Sequence, residues 1–428
     1  MASPLSETIK LPCGLVLSNR LCKAAMAEML GGWGNKPTPT LLDAYKRWSR
    51  GQWGAILTGN VQVDVNNLGT PFDPALHNEE YADMMGSRTL IEQWSEYAAT
   101  CQEHGTPCLV QLCHPGRQSL RIAGRRGVFA STVAPSSVPL QMGGGCIGSW
   151  LSWLVLPPPR EMTRKDIERV TRQFIDAARL MAVSGFSDAS AYLKDQFLNP
   201  RSNRRTDEYG GSARRRAKFV VDIIREIREV VPANFCIGIK MNSTDHQSGP
   251  IEETMEQIRH LIEAGIDFLE ISGGSYERPT MVEGKEDQHR AEQRTSTMAR
   301  EAFFIDFAIK TRKSFPNLVL MLTGGFRSRS AAEHAIKQNA CDLIGIGRPA
   351  SINPEFAKVL LDRNVPVSQA KLVLPRVDVP FYARVVPLNA VGAGWETLYY
   401  VVRIFYLAKG WDSSRRSAIN GDKDDGSE

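Results

Sequence analysis

The sequence has few of the features that mark a metalloprotein or a disulfide-rich secreted protein. Its eight cysteines include no C-x-x-C pair, and its 428 residues contain no HExxH, EF-hand or paired-histidine signature. Cysteines that lie mostly inside or beside apolar segments are typical of reduced core thiols in a cytosolic protein. We therefore expect no metal site and no disulfide framework.

The sequence also lacks a targeting segment, a membrane-length apolar run and a strong excess of one charge. The first 14 residues do not have the basic-then-apolar layout of a signal peptide. The most membrane-like run, 398–408, contains Arg403 and is too short to span a bilayer. The net charge is only +5, and basic residues cluster only at 121–126 and 214–218. We expect a cytosolic protein with neither a membrane nor a nucleic-acid partner.

What the sequence does contain is an alternation of short apolar runs and helical patterns. Seven runs are predicted to be strands: Leu21–Met26, Gly54–Thr58, Cys108–Leu112, Cys236–Met241, Phe268–Ile271, Leu318–Leu322 and Leu343–Ile346. Four intervening segments have the periodicity of amphipathic helices: Arg164–Val183, Ala217–Val231, Glu252–Ala264 and Ser328–Lys337. This alternation predicts a parallel sheet, and a closed (β/α)₈ barrel needs one strand more.

The eighth strand is expected directly after the helical segment 164–183. That segment ends in Ser-Gly-Phe, much as the later helix 252–264 ends in Ala-Gly-Ile before an apolar strand. After Gly185 the chain continues as FSDASAYL, with no apolar run of the usual strand length of about 5–6 residues. Either this fourth strand is missing or shortened and the barrel is open or distorted, or Asp188–Leu193 forms a short, poor strand that closes it.

The predicted fold class is therefore α/β, a (β/α)₈ TIM barrel with a shortened fourth strand and a C-terminal helical extension. Residues 1–365 are predicted to form the barrel, with long excursions at 120–160 and 275–300, the second of which could act as a lid. Residues 366–410 are predicted to form a linker and an amphipathic helix that packs on the barrel, and 411–428 a disordered tail.

Two loops that follow the last two predicted strands, LTGGFRSRS and GIGRP, combine glycine with arginine. The residues concerned are Gly324, Gly325, Arg327, Gly347 and Arg348. Glycine lets a backbone approach an anion closely, and arginine supplies the opposite charge. Barrel enzymes often build a phosphate site from the loops after strands seven and eight. The sequence therefore predicts a phosphorylated cofactor at this corner.

Several longer motifs are specific when taken together. They are SNRLCKAAMAE, GNVQVD, QLCHPGRQS, QFLNPRSNRRTDEYGGS, GIKMNSTD and LTGGF followed by CDLIGIGRPA. Over nearly the whole of residues 5–360 the chain resembles the old yellow enzyme family of FMN-dependent ene-reductases, also described as NADH:flavin oxidoreductases. The resemblance implies a non-covalent FMN at the carboxyl ends of the strands. It also implies NADPH or NADH as hydride donor and reduction of activated alkenes by ping-pong hydride transfer.

The resemblance also implies roles for individual residues around the flavin ring. Ala24, Ala25 and Met26 resemble the segment that lies against the ring. Gln111 resembles the amide that hydrogen-bonds the ring edge, and Asn60 is placed at a neighbouring strand end. A small-molecule, enone-like substrate is implied, and assembly into a homo-oligomer is left open.

Lys240 resembles the cation that stabilises negative charge on the N1/C2 carbonyl side of the reduced flavin. A lysine that follows the buried run Cys236–Ile239 is costly without a partner, which favours this role over a side chain that reaches solvent. His114 either contacts the ligand or stabilises the turn that follows it. Four residues of the glycine turns resemble the family's phosphate site: Gly324, Gly325, Gly347 and Arg348.

The substrate half of the implied site is incomplete. The family's fourth strand carries a His-x-x-His or His-x-x-Asn pair that binds the substrate carbonyl, followed by a tyrosine that donates the proton. Here Tyr192 matches the tyrosine, Ser190 the second member of the pair, and Ser187 by register the first. Serine donates one hydrogen bond but cannot become cationic. The chain is therefore a working oxidoreductase, a catalytically impaired FMN-binding or non-enzymatic barrel, or a sequence that carries an error at this strand.

Overall fold

Eight parallel strands form a closed barrel. In the computed structural model, described residues are 3–76, 88–140, 145–193, 196–242, 250–272, 305–375, 377, 379–380 and 391–411. The barrel strands are Leu21–Lys23 (β1), Ala55–Gln62 (β2), Cys108–His114 (β3), Asp188–Leu193 (β4), Cys236–Asn242 (β5), Phe268–Ser272 (β6), Val319–Thr323 (β7) and Leu343–Ile346 (β8). All seven strands predicted from apolar runs are confirmed. The predicted excursion 275–300 lies outside the described residues, as does the predicted tail beyond residue 411.

The fourth strand is present and closes the barrel. β4 pairs with β3 over six residues, from Leu109 opposite Asp188 to His114 opposite Leu193, and with β5 over four residues. The alternative in which Asp188–Leu193 forms the strand is confirmed, and the expectation of a shortened strand is wrong. A parallel ladder uses backbone N–H and C=O groups, so it does not require an apolar sequence. On one side of β4 lies β3, which is buried along its whole length.

The helices lie around the barrel. They are Pro39–Ser49 (α1), Arg88–Cys101 (α2), Gly145–Val155 (α3), Arg164–Val183 (α4), Ala213–Val230 (α5), Ile251–Ala264 (α6), 305–314 (α7), Arg329–Lys337 (α8), Arg348–Ile352 (α9), Phe356–Leu361 (α10) and Val391–Ala408 (α11). The four predicted helices are confirmed. α5 begins four residues earlier than predicted because Ser212 accepts a hydrogen bond from the Arg215 N–H and caps it there.

The amino-terminal end of the barrel is covered by a short antiparallel hairpin of Ile9–Lys10 and Val16–Leu17. Leu11 and Leu17 of this hairpin are buried against the lowest layer of side chains inside the barrel. That layer consists of Cys22, Ala24, Ala55, Leu57, Leu109, Cys236, Phe268, Met321 and Leu343. The bottom of the barrel is thus filled with apolar groups, and polar side chains lie at the opposite, carboxyl end of the strands.

The C-terminal helix α11 packs against α1 and α9 through Tyr400, Ile404 and Ala408, all of which are buried. Lys409 just beyond it donates a hydrogen bond to Thr40 Oγ1 at 3.3 Å. Within the part of the chain that the structure describes, no helix combines the length and the apolarity that crossing a membrane requires. The contact with α9 brings α11 next to the glycine turn that follows β8.

Candidate active site

The candidate site lies at the carboxyl ends of the strands, and its best-defined part is an amide pair on β2 and β3. Asn60 and Gln111 are paired in register, and Gln111 Nε2 donates to Asn60 Oδ1 at 2.8 Å. The register of β2 shifts between Leu57 and Asn60, and Thr58 Oγ1 accepts from the Gln111 N–H at 3.0 Å. Gln111 Oε1 is buried and accepts no hydrogen bond from the described residues. The site therefore offers a buried, fixed oxygen acceptor that suits a ligand N–H.

Lys240 on β5 forms an ion pair with Glu270 on β6. Their Cα atoms are in register, and Lys240 Nζ lies 2.9 Å from Glu270 Oε1. The Glu270 side chain is fully buried, whereas that of Lys240 is 13% exposed. Apart from this ion pair, neither Glu270 oxygen accepts a hydrogen bond of ordinary geometry from the described residues. The cation that the resemblance placed at the flavin is therefore present with a buried counter-charge.

The segment proposed to lie against the flavin is held by a buried carboxylate. The Ala24 N–H donates to the Ile346 carbonyl at 2.9 Å and extends the pairing of β1 with β8. Farther along, Glu28 accepts from the Gly59 N–H at 2.8 Å and from the Tyr45 hydroxyl. A Cβ at Gly59 would lie 1.7 Å from Glu28 Oε2 and 2.2 Å from the Met26 carbonyl oxygen. Only glycine allows this close approach of the segment to β2.

A buried lysine lies behind the same segment. Lys23 is fully buried, its Nζ is 3.7 Å from Glu28 Oε1, and it donates to the Leu57 carbonyl at 3.0 Å. The Trp48 ring centroid lies 4.1 Å from this ammonium group, within range for a cation–π contact. Burial lowers the pKa of Lys23 and raises the pKa of Glu28, while the attraction between the two opposes both shifts. Two costly charges therefore depend on each other.

The two glycine turns predicted to bind phosphate have the following geometry. Gly324 and Gly325 have φ values of 147° and 74°, which only glycine adopts readily. Gly347 precedes the short helix α9, whose first residue, Arg348, forms an ion pair with Glu396 of α11. The C-terminal helix thus supplies a carboxylate to the arginine that we predicted would bind phosphate.

The residues predicted to act on substrate, Ser190 and Tyr192, both lie on β4. Ser190 is in register with Gln111 on one side and with Gly238 on the other, and Tyr192 is in register with Cys113. The side chains of both residues lie outside the described part of the structure. His114 Nδ1 accepts from the Gly116 N–H at 3.2 Å, so this histidine stabilises the turn that follows it.

Three site residues were missed by sequence reasoning: Glu28, Glu270 and Glu396. Glu270 could have been found, because FLEIS places a charge inside an otherwise apolar strand. Glu28 is the last residue of the motif KAAMAE, in which the family resemblance implies roles only for the alanines and the methionine. Glu396 meets its partner only because α11 folds back onto α9.

The polar and charged groups of the site fit a flavin nucleotide. A buried acceptor at Gln111 suits a ring N–H, the cation Lys240 suits an electron-rich carbonyl edge, and the Gly324–Gly325 turn with Arg348 suits a phosphate. Fold and site together define a (β/α)₈ barrel built for a phosphorylated redox cofactor.

The sequence profile of the NADH:flavin oxidoreductase / NADH oxidase family matches residues 7–364, and the chain belongs to this family. It is 42% identical over 400 residues to the NADH-dependent flavin oxidoreductase iliE of Hypocrea jecorina, covering 92% of this chain and 98% of the relative. It is 41% identical to the NADH-dependent flavin oxidoreductase iccE of Talaromyces variabilis, covering 95% and 98%.

Solved structures confirm the barrel. The old yellow enzyme homologue from Zymomonas mobilis superposes with a TM-score of 0.64 at 20% identity, covering 85% of this chain and 94% of that one. Morphinone reductase gives a TM-score of 0.64 at 19% identity, covering 84% and 90%. The family match and the relatives show an FMN-dependent NAD(P)H:flavin oxidoreductase.

Replacing Arg348 with methionine is expected to weaken FMN binding by about 10- to 100-fold, because a hydrogen bond to a charged group contributes about 1.5–3 kcal/mol. Titrating the flavin-free protein with FMN and following flavin fluorescence measures this change. The matched control is Arg225→Met on the exposed side of α5. Equal affinities for the two variants would show that Arg348 serves only to anchor α11 through Glu396.

Proposed function

We propose that this oxidoreductase reduces activated alkenes such as enones, with the nicotinamide donor and the substrate occupying the same site in turn. The observation that carries the proposal is the backbone register of β4. It places Ser190 beside Gln111, and Tyr192 two residues closer to the carboxyl end of the barrel, beside Cys113. Two hydroxyl-bearing residues thus lie on the strand that carries the substrate-binding residues in the family.

FMN, when bound, supplies the centre that accepts and returns a hydride equivalent. The chain's part is to hold and polarise the reactants. Gln111 and Asn60 would hold the ring edge, Ala24 to Met26 its face, and the glycine turns with Arg348 its phosphate. Lys240 would stabilise negative charge at the ring, and its ion pair with Glu270 fixes the ammonium group at that position.

Tyr192 and Ser190 would act on the substrate. In the proposed reaction the Ser190 hydroxyl donates a hydrogen bond to the substrate carbonyl, and the Tyr192 hydroxyl delivers the proton to the carbon beside that carbonyl. A neutral hydroxyl donates one hydrogen bond and carries no charge, so carbonyl activation is weaker here than with a histidine pair. We therefore expect enones that carry a further electron-withdrawing group to react faster than simple unsaturated ketones.

The relatives named NADH-dependent favour NADH over NADPH as donor. A cytosolic location and a homo-oligomeric state stay predictions from the sequence. So does the division into a barrel at 1–365, a linker and helix at 366–410 and a tail at 411–428.

Replacing Tyr192 with phenylalanine tests the proposal by separating the two halves of the reaction. Reoxidation of the reduced protein by a cyclic enone is expected to slow by about 10²–10⁴-fold, the usual contribution of a positioned proton donor. Reduction by NADH should not change. Stopped-flow absorbance measures both rates, with Tyr399→Phe on α11 as the control.

The second candidate function is an impaired FMN-binding barrel, and the absence of the family's histidine pair supports it. In that case the reduced wild-type protein is reoxidised by oxygen but by none of a panel of enones, and Tyr192→Phe changes nothing. If the wild type turns over enones and Tyr192→Phe does so equally fast, the proton comes from another group.

A further inference from the structure

A pair of thiols lies at the amino-terminal end of the barrel, opposite the candidate active site. Cys13 is in the turn of the N-terminal hairpin, and Cys236 is the first residue of β5. Their Sγ atoms and a carboxylate oxygen of Asp267 lie within 4.8 Å of one another. Neither cysteine is disulfide-bonded in the structure. The arrangement suits either a metal ion or a bond between the two sulfurs.

The neighbouring charges favour the sulfur–sulfur bond. Asp267 accepts a hydrogen bond from the Ile237 N–H at 2.7 Å and forms an ion pair with Arg228 through the same oxygen. The guanidinium group is held there by further bonds to the carbonyls of Gly265 and Phe235, at 2.6 Å and 2.7 Å. Arg228 thus compensates the charge of Asp267, the carboxylate of this cluster, and this compensation disfavours a divalent metal there.

The two thiols differ in a way that assigns each a role. Cys13 is partly exposed, whereas Cys236 is fully buried. The pKa of Cys13 is lowered, chiefly by its hydrogen bond with Cys236 and further by a backbone hydrogen bond at Leu15, while burial and the Asp267 carboxylate act in the opposite direction and Arg228 adds the smallest lowering effect. An accessible sulfur with thiolate character next to a buried thiol is the arrangement of redox-sensitive cysteine pairs.

We propose that Cys13 and Cys236 form an intrachain disulfide when the protein meets a peroxide. The Cys13 thiolate attacks one peroxide oxygen, the O–O bond breaks, and hydroxide leaves, so that Cys13 becomes a sulfenic acid. The Cys236 thiol then attacks the Cys13 sulfur, the S–S bond forms, and water leaves. In total two thiols lose two electrons and two protons, and one peroxide becomes two waters.

The local fold permits the bond and gives it a consequence. Cys13 precedes Gly14, which has a φ of 96° and open space around it, so the turn can shift to bring the sulfurs to bonding distance. The bond fastens the hairpin that covers the bottom of the barrel to β5, the strand that carries Lys240. Cross-linking residues this far apart in sequence restricts the unfolded chain and stabilises the folded one.

The test treats the full-length, flavin-loaded protein with hydrogen peroxide, alkylates the remaining thiols and analyses mass and peptides. The expected product is two hydrogen atoms lighter and contains a peptide that joins position 13 to position 236. Cys13→Ser should abolish the link. Cys22→Ser removes a thiol of the same apolar layer and should leave the link intact. The unfolding midpoint of the oxidised wild type should exceed that of oxidised Cys13→Ser by about 3 °C.

Three results would overturn the proposal. One is oxidation of Cys13 to the sulfinic or sulfonic acid with Cys236 left as a thiol. Another is a link between Cys236 and Cys22. The third is stoichiometric binding of added Zn²⁺ that protects both Cys13 and Cys236 from alkylation and depends on Asp267. Because none of these readouts uses NADH or an enone, the outcome is independent of the proposed function.

Discussion

Replacing Lys240 with methionine is expected to slow reduction of the bound flavin by NADH by about 10²–10³-fold, the usual cost of removing one group that stabilises developing charge. Lys240 lies on β5 and is fixed 2.9 Å from the buried Glu270 carboxylate. Anaerobic stopped-flow absorbance at the flavin band measures the rate. The control is Lys310→Met on the exposed side of α7.

Loss of Lys240 also leaves Glu270 as a buried carboxylate without its counter-charge, which by itself destabilises a protein by about 3–5 kcal/mol. The double variant Lys240→Met/Glu270→Gln removes that complication. If the double variant regains stability but stays slow, Lys240 acts on the cofactor. If it regains both stability and rate, the lysine serves only to neutralise Glu270, and the role implied by the family resemblance is wrong.

Replacing Glu28 with leucine is expected to lower the free energy of unfolding by about 3–5 kcal/mol, because Lys23 would then be a buried charge without a partner. The Gly59 N–H would lose one of its two acceptors and keep the Tyr45 hydroxyl. Urea unfolding followed by tryptophan fluorescence measures the change, and Glu229→Leu on the exposed side of α5 is the control.

The double variant Lys23→Met/Glu28→Leu separates pairing from packing. Removing both charges together often restores or exceeds the original stability. We expect it to unfold near the wild-type midpoint but to bind FMN more weakly, since the segment that contains Met26 loses its attachment to β2. If Glu28→Leu alone is as stable as the wild type, the buried pair does not contribute to the barrel as described.

The sequence predicted most of the barrel because the strands are buried on both sides. Runs such as Leu318–Leu322 and Leu343–Ile346 contain no polar side chain, so both their presence and their approximate ends were evident. The strand Asp188–Leu193 was uncertain because its composition carries no such signal. Its place is set by pairing with β3 and β5, which depends on residues distant in sequence.

The candidate site was predictable where a motif carries it and not where a tertiary contact does. Asn60 follows one predicted strand and Gln111 lies within another, and the structure places their amides in contact. Glu270 and Lys240 are 30 positions apart and meet only through the register of β5 and β6. Glu396 reaches Arg348 only because the C-terminal helix returns to the barrel. Contacts of this kind are set by packing, which local sequence does not encode.

The most direct test of the account is an anaerobic absorbance spectrum of the purified protein before and after addition of NADH, followed by a cyclic enone. We expect flavin bands that NADH bleaches and the enone restores. A protein that is folded by circular dichroism, yet carries no flavin and takes up none when FMN is added, would contradict the central claim that this barrel is an FMN-dependent oxidoreductase.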